Sequence, residues 1–226
     1  MRTSSRVSLT VLAAALALVA GCSREDRRAE SPLEHPDASA LAARAPDTVR
    51  VRFETSRGAF VVEAYRDWSP HGVDRFYQLA RMGYFDGVRF FRVIGGFMAQ
   101  FGLHGNPRVT EVWQDRSIPD DPVTHPNKRG TVSFATRGAN TRSTQLFINF
   151  VDNLNLDAAG FSPIGIIAEG MSVVDSLYSG YGEGAPEGRG PEHPRITAEG
   201  NAYLAREFPK LDSIVKTTVL TAPTPR

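Results

Sequence analysis

Arg92 is the residue whose chemistry stands out. It lies in the run RFFRVIGGFMAQFG over residues 89–102, with Gln100 eight positions further on. An arginine offers a fixed, always-protonated fork of hydrogen-bond donors. In that run the fork stands among exposed-looking aromatics. The same residue types also permit a blander arrangement, with Phe97, Met98 and Phe147 as core, Arg92 on a surface strand and Gln100 satisfying buried backbone. Motifs for bond-breaking catalysis are missing: there is no GxSxG, HExxH or GxxxxGK[ST], and the five histidines are scattered. Asp120-Asp121 could attract a cation, but before Pro122 the pair reads more readily as a solvated turn.

The rest of the composition narrows the class. A net charge of +1 on 226 residues argues against a dedicated nucleic-acid binder. One cysteine excludes an intramolecular disulfide and any CxxC motif. That cysteine, Cys22, follows Arg2 and Arg6, an apolar run from Val7 to Val19, and the small residues Ala20 and Gly21. The run is short for a membrane span and has the layout of a cleaved export signal. Val19-Ala20-Gly21-Cys22 resembles the lipobox of bacterial lipoproteins, whose cysteine is acylated. Residues 1–21 are therefore predicted to be a signal peptide. Ser23 after the cysteine points to the outer rather than the inner membrane, facing the periplasm. Residues 22–47, rich in Ala, Pro, Glu and Arg, are predicted to form a flexible tether.

The elements that must position Arg92 begin near Thr48. Val49, Val51 and Phe53 alternate with charged residues, and after the Ser56-Arg57-Gly58 turn Phe60, Val62 and Ala64 alternate again, a hairpin pattern. Ser69-Pro70 reads as an N-cap with proline at the first helical position. Val73, Phe76, Leu79 and Ala80 fall on one face of the helix, and Gly83 ends it. Further strands are predicted at Val88–Ile94, Phe97–Leu103, Thr131–Ala135, Leu146–Phe150, Phe161–Ile167 and Ser213–Leu220. A second helix is expected over Met171–Tyr178, a surface loop over Gly180–Arg195, and a short helix near Ala198–Glu207. The sum is a mainly β domain over residues 48–222: a closed antiparallel barrel of about eight strands, capped by two helices.

Two segments carry a family resemblance. Phe90, Arg92, Val93, Ile94, Gly96, Phe97, Met98, Gln100 and Gly102 match the first signature of the cyclophilin-type peptidyl-prolyl cis/trans isomerases. Gly130, Ser133, Ala135, Gly138, Asn140, Thr141, Gln145, Phe147 and Ile148 match the second. The similarity runs from about Thr48 to Leu220, with a C-terminal extension over Glu199–Asp212 like that of a bacterial branch. It implies an isomerase in which Arg92 hydrogen-bonds around the prolyl peptide bond. Phe97, Met98 and Phe147 would line the proline pocket, with Leu156 and Phe161 closing it. Gln100 would hold a substrate carbonyl, and Ala135, Thr136 and Gln145 would grip the flanking peptide. No cofactor or metal is implied, because rotation breaks no bond.

The expected partners are proline-containing unfolded polypeptides and, through the acyl anchor, a lipid membrane; a monomer is expected. The alternative is a proline-peptide-binding chaperone module with little turnover. Arg92 and Gln100 weigh against it, since non-catalytic relatives tend to lose that arginine. The sequence also departs from the family. Gly95 replaces the usual proline, Phe101 a small residue, and Thr136-Arg137 the common Asn-Ala. Asn155 and Phe161 stand where the family usually has tryptophan and histidine.

Overall fold

The computed structural model describes residues 31–220, so the apolar leader and Cys22 lie outside the described residues. The first hairpin forms as its alternation predicts. β1 (Thr48–Thr55) pairs with β2 (Gly58–Tyr65), Val51 facing Val62 and Phe53 facing Phe60. Six more strands follow: β3 (Arg92–Ile94), β4 (Met98–Phe101), β5 (Thr131–Phe134), β6 (Leu146–Asn149), β7 (Pro163–Glu169) and β8 (Ile214–Leu220). They make one eight-stranded antiparallel sheet in the order β3-β4-β6-β5-β7-β2-β1-β8.

The predicted strand Val88–Ile94 is split by the need to curl this sheet. Only Arg92–Ile94 joins β4. Residues 88–90 turn to the opposite edge, where Arg89 bridges Ser213, Phe90 N–H donates to Asp212 O, and Ile214 N–H donates to Val88 O. The barrel thus closes through a short bridge rather than a full ladder. Inside it, Phe53 stacks on Phe60 at 5.0 Å between ring centroids and touches the rings of Phe76, Phe85 and Phe101. Each fully buried phenylalanine removes enough apolar surface to contribute roughly 2–3 kcal/mol.

The helices differ more from expectation. Those among the described residues are α1 (Ala38–Leu41), α2 (Pro70–Arg81), α3 (Pro107–Gln114), α4 (Asn155–Ala158), α5 (Met171–Asp175) and α6 (His193–Glu207). α2 buries Val73, Phe76, Leu79 and Ala80 as its spacing requires. The second helix expected at Met171–Tyr178 is only the five residues of α5. The longer one is α6, which starts at His193 rather than near Ala198. It is broken at Gly200, where φ is 58°, ψ is −141°, and a Cβ would lie 2.2 Å from Gly105 O. α3 has no place among the expected elements, although Asn106 before Pro107 is a sound start signal: its side chain accepts from Arg108 N–H.

The tether prediction is corrected for residues 31–47, which pack on the barrel. Leu33 and Ala45 are buried. Trp113 Nε1 donates to Leu33 O at 2.9 Å, Gln78 donates to Ala43 O, and Ala45 N–H donates to Asp74. Composition does not reveal this, because single apolar residues rather than a periodic face make the contacts. The same body therefore begins at Ser31. Among the described residues no helix is long and apolar enough to cross a membrane.

Ser69 occupies the N-cap of α2, but its hydroxyl donates to Asp121 instead of capping. Asp121 does the capping from 50 residues away, accepting from His71 N–H at 3.1 Å and Gly72 N–H at 2.9 Å. It also pairs with Arg142 at 3.0 Å, both side chains being 2% exposed. The Asp120-Asp121 turn is thus solvated only in part. Burial alone would raise the Asp121 carboxyl, but bonds from Ser69, Gly72, His71 and Arg142 outweigh it and hold it below the usual range. Replacing Asp121 by alanine removes the buried carboxylate from Arg142 and leaves it only the half-exposed Asp120, 3.3 Å away. A loss of about 3–5 kcal/mol in denaturant unfolding is expected, and a loss below about 1 kcal/mol contradicts a buried capping role for Asp121.

Candidate active site

The strand register gathers the site. Arg92 on β3 faces Gln100 on β4, Gln100 faces Phe147 on β6, and Phe147 faces Ser133 on β5. Cross-strand partners share a face of a sheet, and the next residues along each strand point the other way. Val93, Ala99, Phe101, Leu146, Ile148, Val132 and Phe134 accordingly join the barrel core. Phe101 in place of a small residue is therefore a core substitution: its ring packs on Phe53, Phe85 and Phe90. It leaves the outer face undisturbed.

On that outer face is a pocket of about 200 Å³ lined by Arg92, Phe97, Met98, Gln100, Ala135, Thr136, Phe147, Leu156 and Phe161. These are the residues singled out in the sequence, less Gln145. Phe161 meets Phe147 edge-on at 5.6 Å, forming a wall that a histidine would leave more polar. Gln145 lies at the junction with a larger cleft of about 700 Å³, which shares Gln100, Ala135 and Thr136 and extends to Arg137 and His193. Asn155 is exposed at the start of α4 and is not among the residues lining the pocket. Gly95 and Gly96 form the exposed β3–β4 turn, with Gly96 at φ 74°.

A chain of polar contacts runs along the groove. Arg92 Nη1 donates to Gln100 Oε1 at 3.1 Å, and Gln100 Nε2 donates to Gln145 Oε1 at 3.0 Å. Gln145 Nε2 lies 3.1 Å from His193 Nε2, and Arg137 Nη2 lies 2.7 and 2.9 Å from the two ring nitrogens of His193. At the other end Glu183 takes two bonds from Arg92, at 2.6 and 2.5 Å. Two expected grips are modified. Ala135 N–H is used on Gln145 O, and the Thr136 hydroxyl donates to Gly138 O within its own turn. What these residues offer a peptide is shape and the remaining backbone groups.

Beneath the pocket sits a buried amide network that no sequence motif announces. Asn127 donates to Asp157 and to Phe161 O and accepts from the Ser133 hydroxyl. Asn149 donates to Thr131, while Asn153 donates to Asn149 and to Phe97 O. The carbonyls of Phe97 and Phe161 are thereby fixed, and with them two pocket walls. A network satisfied in this way rigidifies a site. Glu183, His193 and these asparagines escape sequence reasoning because most of their partners lie well away in sequence, and no motif marks them.

The Cyclophilin type peptidyl-prolyl cis-trans isomerase/CLD family model matches residues 50–198. The chain is 30% identical over 163 residues to peptidyl-prolyl cis-trans isomerase B of Escherichia coli, covering 66% of this chain and 93% of that one. It is 34% identical over 131 residues to peptidyl-prolyl cis-trans isomerase-like 2 of Gibberella zeae, covering 56% of this chain but only 22% of that longer protein. A Cryptosporidium parvum cyclophilin-type isomerase, whose structure was determined in the presence of the dipeptide Ala-Pro, superposes with a TM-score of 0.55. The identity is 19%, and the match covers 76% of this chain and 99% of that one. A curled eight-stranded sheet with an arginine-edged apolar pocket defines a cyclophilin fold. The chain belongs to the cyclophilin-type peptidyl-prolyl cis-trans isomerase family.

His193 carries a pH consequence. Burial first, then the Arg137 charge, push its ring down to about 4 from an ordinary value of 6.5. The unfolded chain takes up this proton from about pH 6.5 downward, whereas the folded chain resists it until about pH 4. Protons therefore favour unfolding in that window, and stability falls as pH drops through it. Thermal melts of His193→Gln should show a flatter decline between about pH 6.5 and 4 than wild type; parallel curves contradict the burial of a neutral ring.

Proposed function

We propose that this isomerase turns X–Pro bonds of exported polypeptides, working as a monomer held at a membrane by an acylated Cys22. The observation that supports the chemistry is the guanidinium of Arg92 and the amide of Gln100 at the rim of one apolar pocket. An amide resists rotation because the nitrogen lone pair is delocalised into the carbonyl, a barrier of about 18–20 kcal/mol. The enzyme has only to bind the twisted bond better than either planar form. Each factor of ten in rate takes about 1.36 kcal/mol of that preference.

The residues divide this work. Phe97, Met98, Phe147, Leu156 and Phe161 hold the proline ring. Arg92 donates toward the prolyl nitrogen once twisting has returned its lone pair. Gln100 has one N–H on Gln145, and its second N–H holds a substrate carbonyl so that rotation occurs about a fixed end. Ala135, Thr136 and Gln145 border the path of the flanking chain. The Ala-Pro dipeptide present with the Cryptosporidium relative supports a proline-containing ligand. Export and anchoring rest on the basic start, the apolar run and Val19-Ala20-Gly21-Cys22. Ser23 favours the outer membrane, facing the periplasm.

Arg92→Ala removes a charged donor worth about 1.5–3 kcal/mol, so exchange on a short X–Pro peptide should slow by about 10- to 150-fold. Arg92→Lys should also be poor, since a point charge cannot reproduce the fork. Two-dimensional NMR exchange gives the rate and circular dichroism checks the fold. A folded Arg92→Ala variant with wild-type rate rules this mechanism out.

For the anchor, Cys22→Ser should release the protein from the membrane fraction or leave its signal uncleaved. Two acyl chains hold a protein stably where one does not. Unchanged membrane retention and palmitate labelling would show that Cys22 is not the anchor.

A further inference from the structure

The segment between α5 and α6 reads in the sequence as a surface loop, yet it delivers a carboxylate to the site's arginine. Glu183 binds the Nε and Nη2 edge of Arg92 with both oxygens. A bidentate pair of this kind fixes the plane of a guanidinium as well as its position. Of the five N–H bonds on an arginine, two go to Glu183 and one to Gln100, which leaves two on a side chain that lines the proline pocket.

Glu183 is itself held in place. Gly182 forms an antiparallel bridge with Val93, the residue next to Arg92. Gly184 N–H donates to Glu183 Oε1 at 2.9 Å, and Gly190 N–H donates to Glu183 O at 2.7 Å. A Cβ at Gly188 or Gly190 would come within 2.3 or 2.7 Å of that carbonyl, so the loop can close around Glu183 only with glycine there. The Arg92 bond, opposed by burial and aided by Gly184, keeps the carboxyl below its usual range and so ionised. Stability is a poor reason for such a pair. The side chains are 29% and 37% exposed, where ion pairs contribute little.

We infer that Glu183 is a positioning residue for Arg92, clamping one edge of the guanidinium so that its remaining donors stay aimed into the proline pocket. The inference rests on Arg92 being the catalytic donor. An unclamped arginine samples several rotamers and must be ordered in the transition state, whereas a clamped one is ordered beforehand. Because the carboxylate takes the edge away from Gln100, it adds order without consuming the donors that remain.

The test uses the full chain with Glu183→Gln, Glu183→Ala and, as a control, Arg92→Ala. Isomerisation kinetics on an X–Pro peptide are combined with ¹⁵N NMR of the Arg92 side chain, which reads rotation about its Nε–Cζ bond. Both Glu183 variants should lower kcat and kcat/KM together by about tenfold, or about 1.4 kcal/mol. KM should hardly move, the melting temperature should shift little, and Arg92 rotation should become faster than in wild type. Unchanged kinetics and rotation overturn the inference. A raised KM with unchanged kcat does so too, as does faster turnover, which would mean that the carboxylate competes with substrate. Rapid Arg92 rotation in the wild type overturns it even if neither variant folds. If Arg92→Ala itself keeps its rate, the catalytic reading fails; if only that variant is slow, the clamp alone fails.

Discussion

The pleat of β4 and β6 is the constraint on which the rest depends. Side chains on a strand alternate between two faces, and in this sheet one face is a packed aromatic core while the other is the ligand groove. Ala99, Phe101, Leu146 and Ile148 go inward; Met98, Gln100 and Phe147 go outward. A one-residue slip would exchange the two sets and lose both core and site. The register is secured from inside by the ring cluster around Phe53 and from outside by the row Arg92–Gln100–Phe147. Stability and function therefore draw on the same hydrogen-bond ladders.

That arrangement explains why the enzyme needs so few polar groups. Arginine cannot lose its proton in a protein, so its donor strength does not depend on a titrating neighbour. Order is then the quantity left to control. The asparagine network fixes the walls at Phe97 and Phe161, and Glu183 and Gln100 hold the arginine between them. His193, kept neutral by burial, closes the polar chain beyond Gln145. Each device removes freedom around the pocket, which suits a reaction whose barrier is lowered only by preferring one geometry.

Chain-distant contacts do much of this work. Asp121 caps α2 from another loop, residues 31–47 lean on α2 and α3, and the C-terminal α6 brings His193 to the groove. Such pairs form late in any local account of the chain and have no signature in spacing. They also explain why the helices are less legible in the sequence than the strands. α5 buries only Val174, and α6 is broken by Gly200, so neither shows a sustained apolar period.

The sequence alone determined the hairpin, the face of α2 and the approximate strands, and its family resemblance picked out residues that the fold gathers around one apolar pocket. The first three rest on local rules, period two and period 3.6, and the last on signatures that run through neighbouring strands and turns. Only the tertiary structure decided where Val88–Ile94 divides, that Phe101 is core, and that Ser69 yields its cap to Asp121. It also decided that a glycine-rich loop brings Glu183 to Arg92, 91 residues away in sequence. The physical reason is one of range. Alternation and propensity act over a few residues, whereas a buried charge or amide takes whichever partner the folded chain brings within about 3 Å.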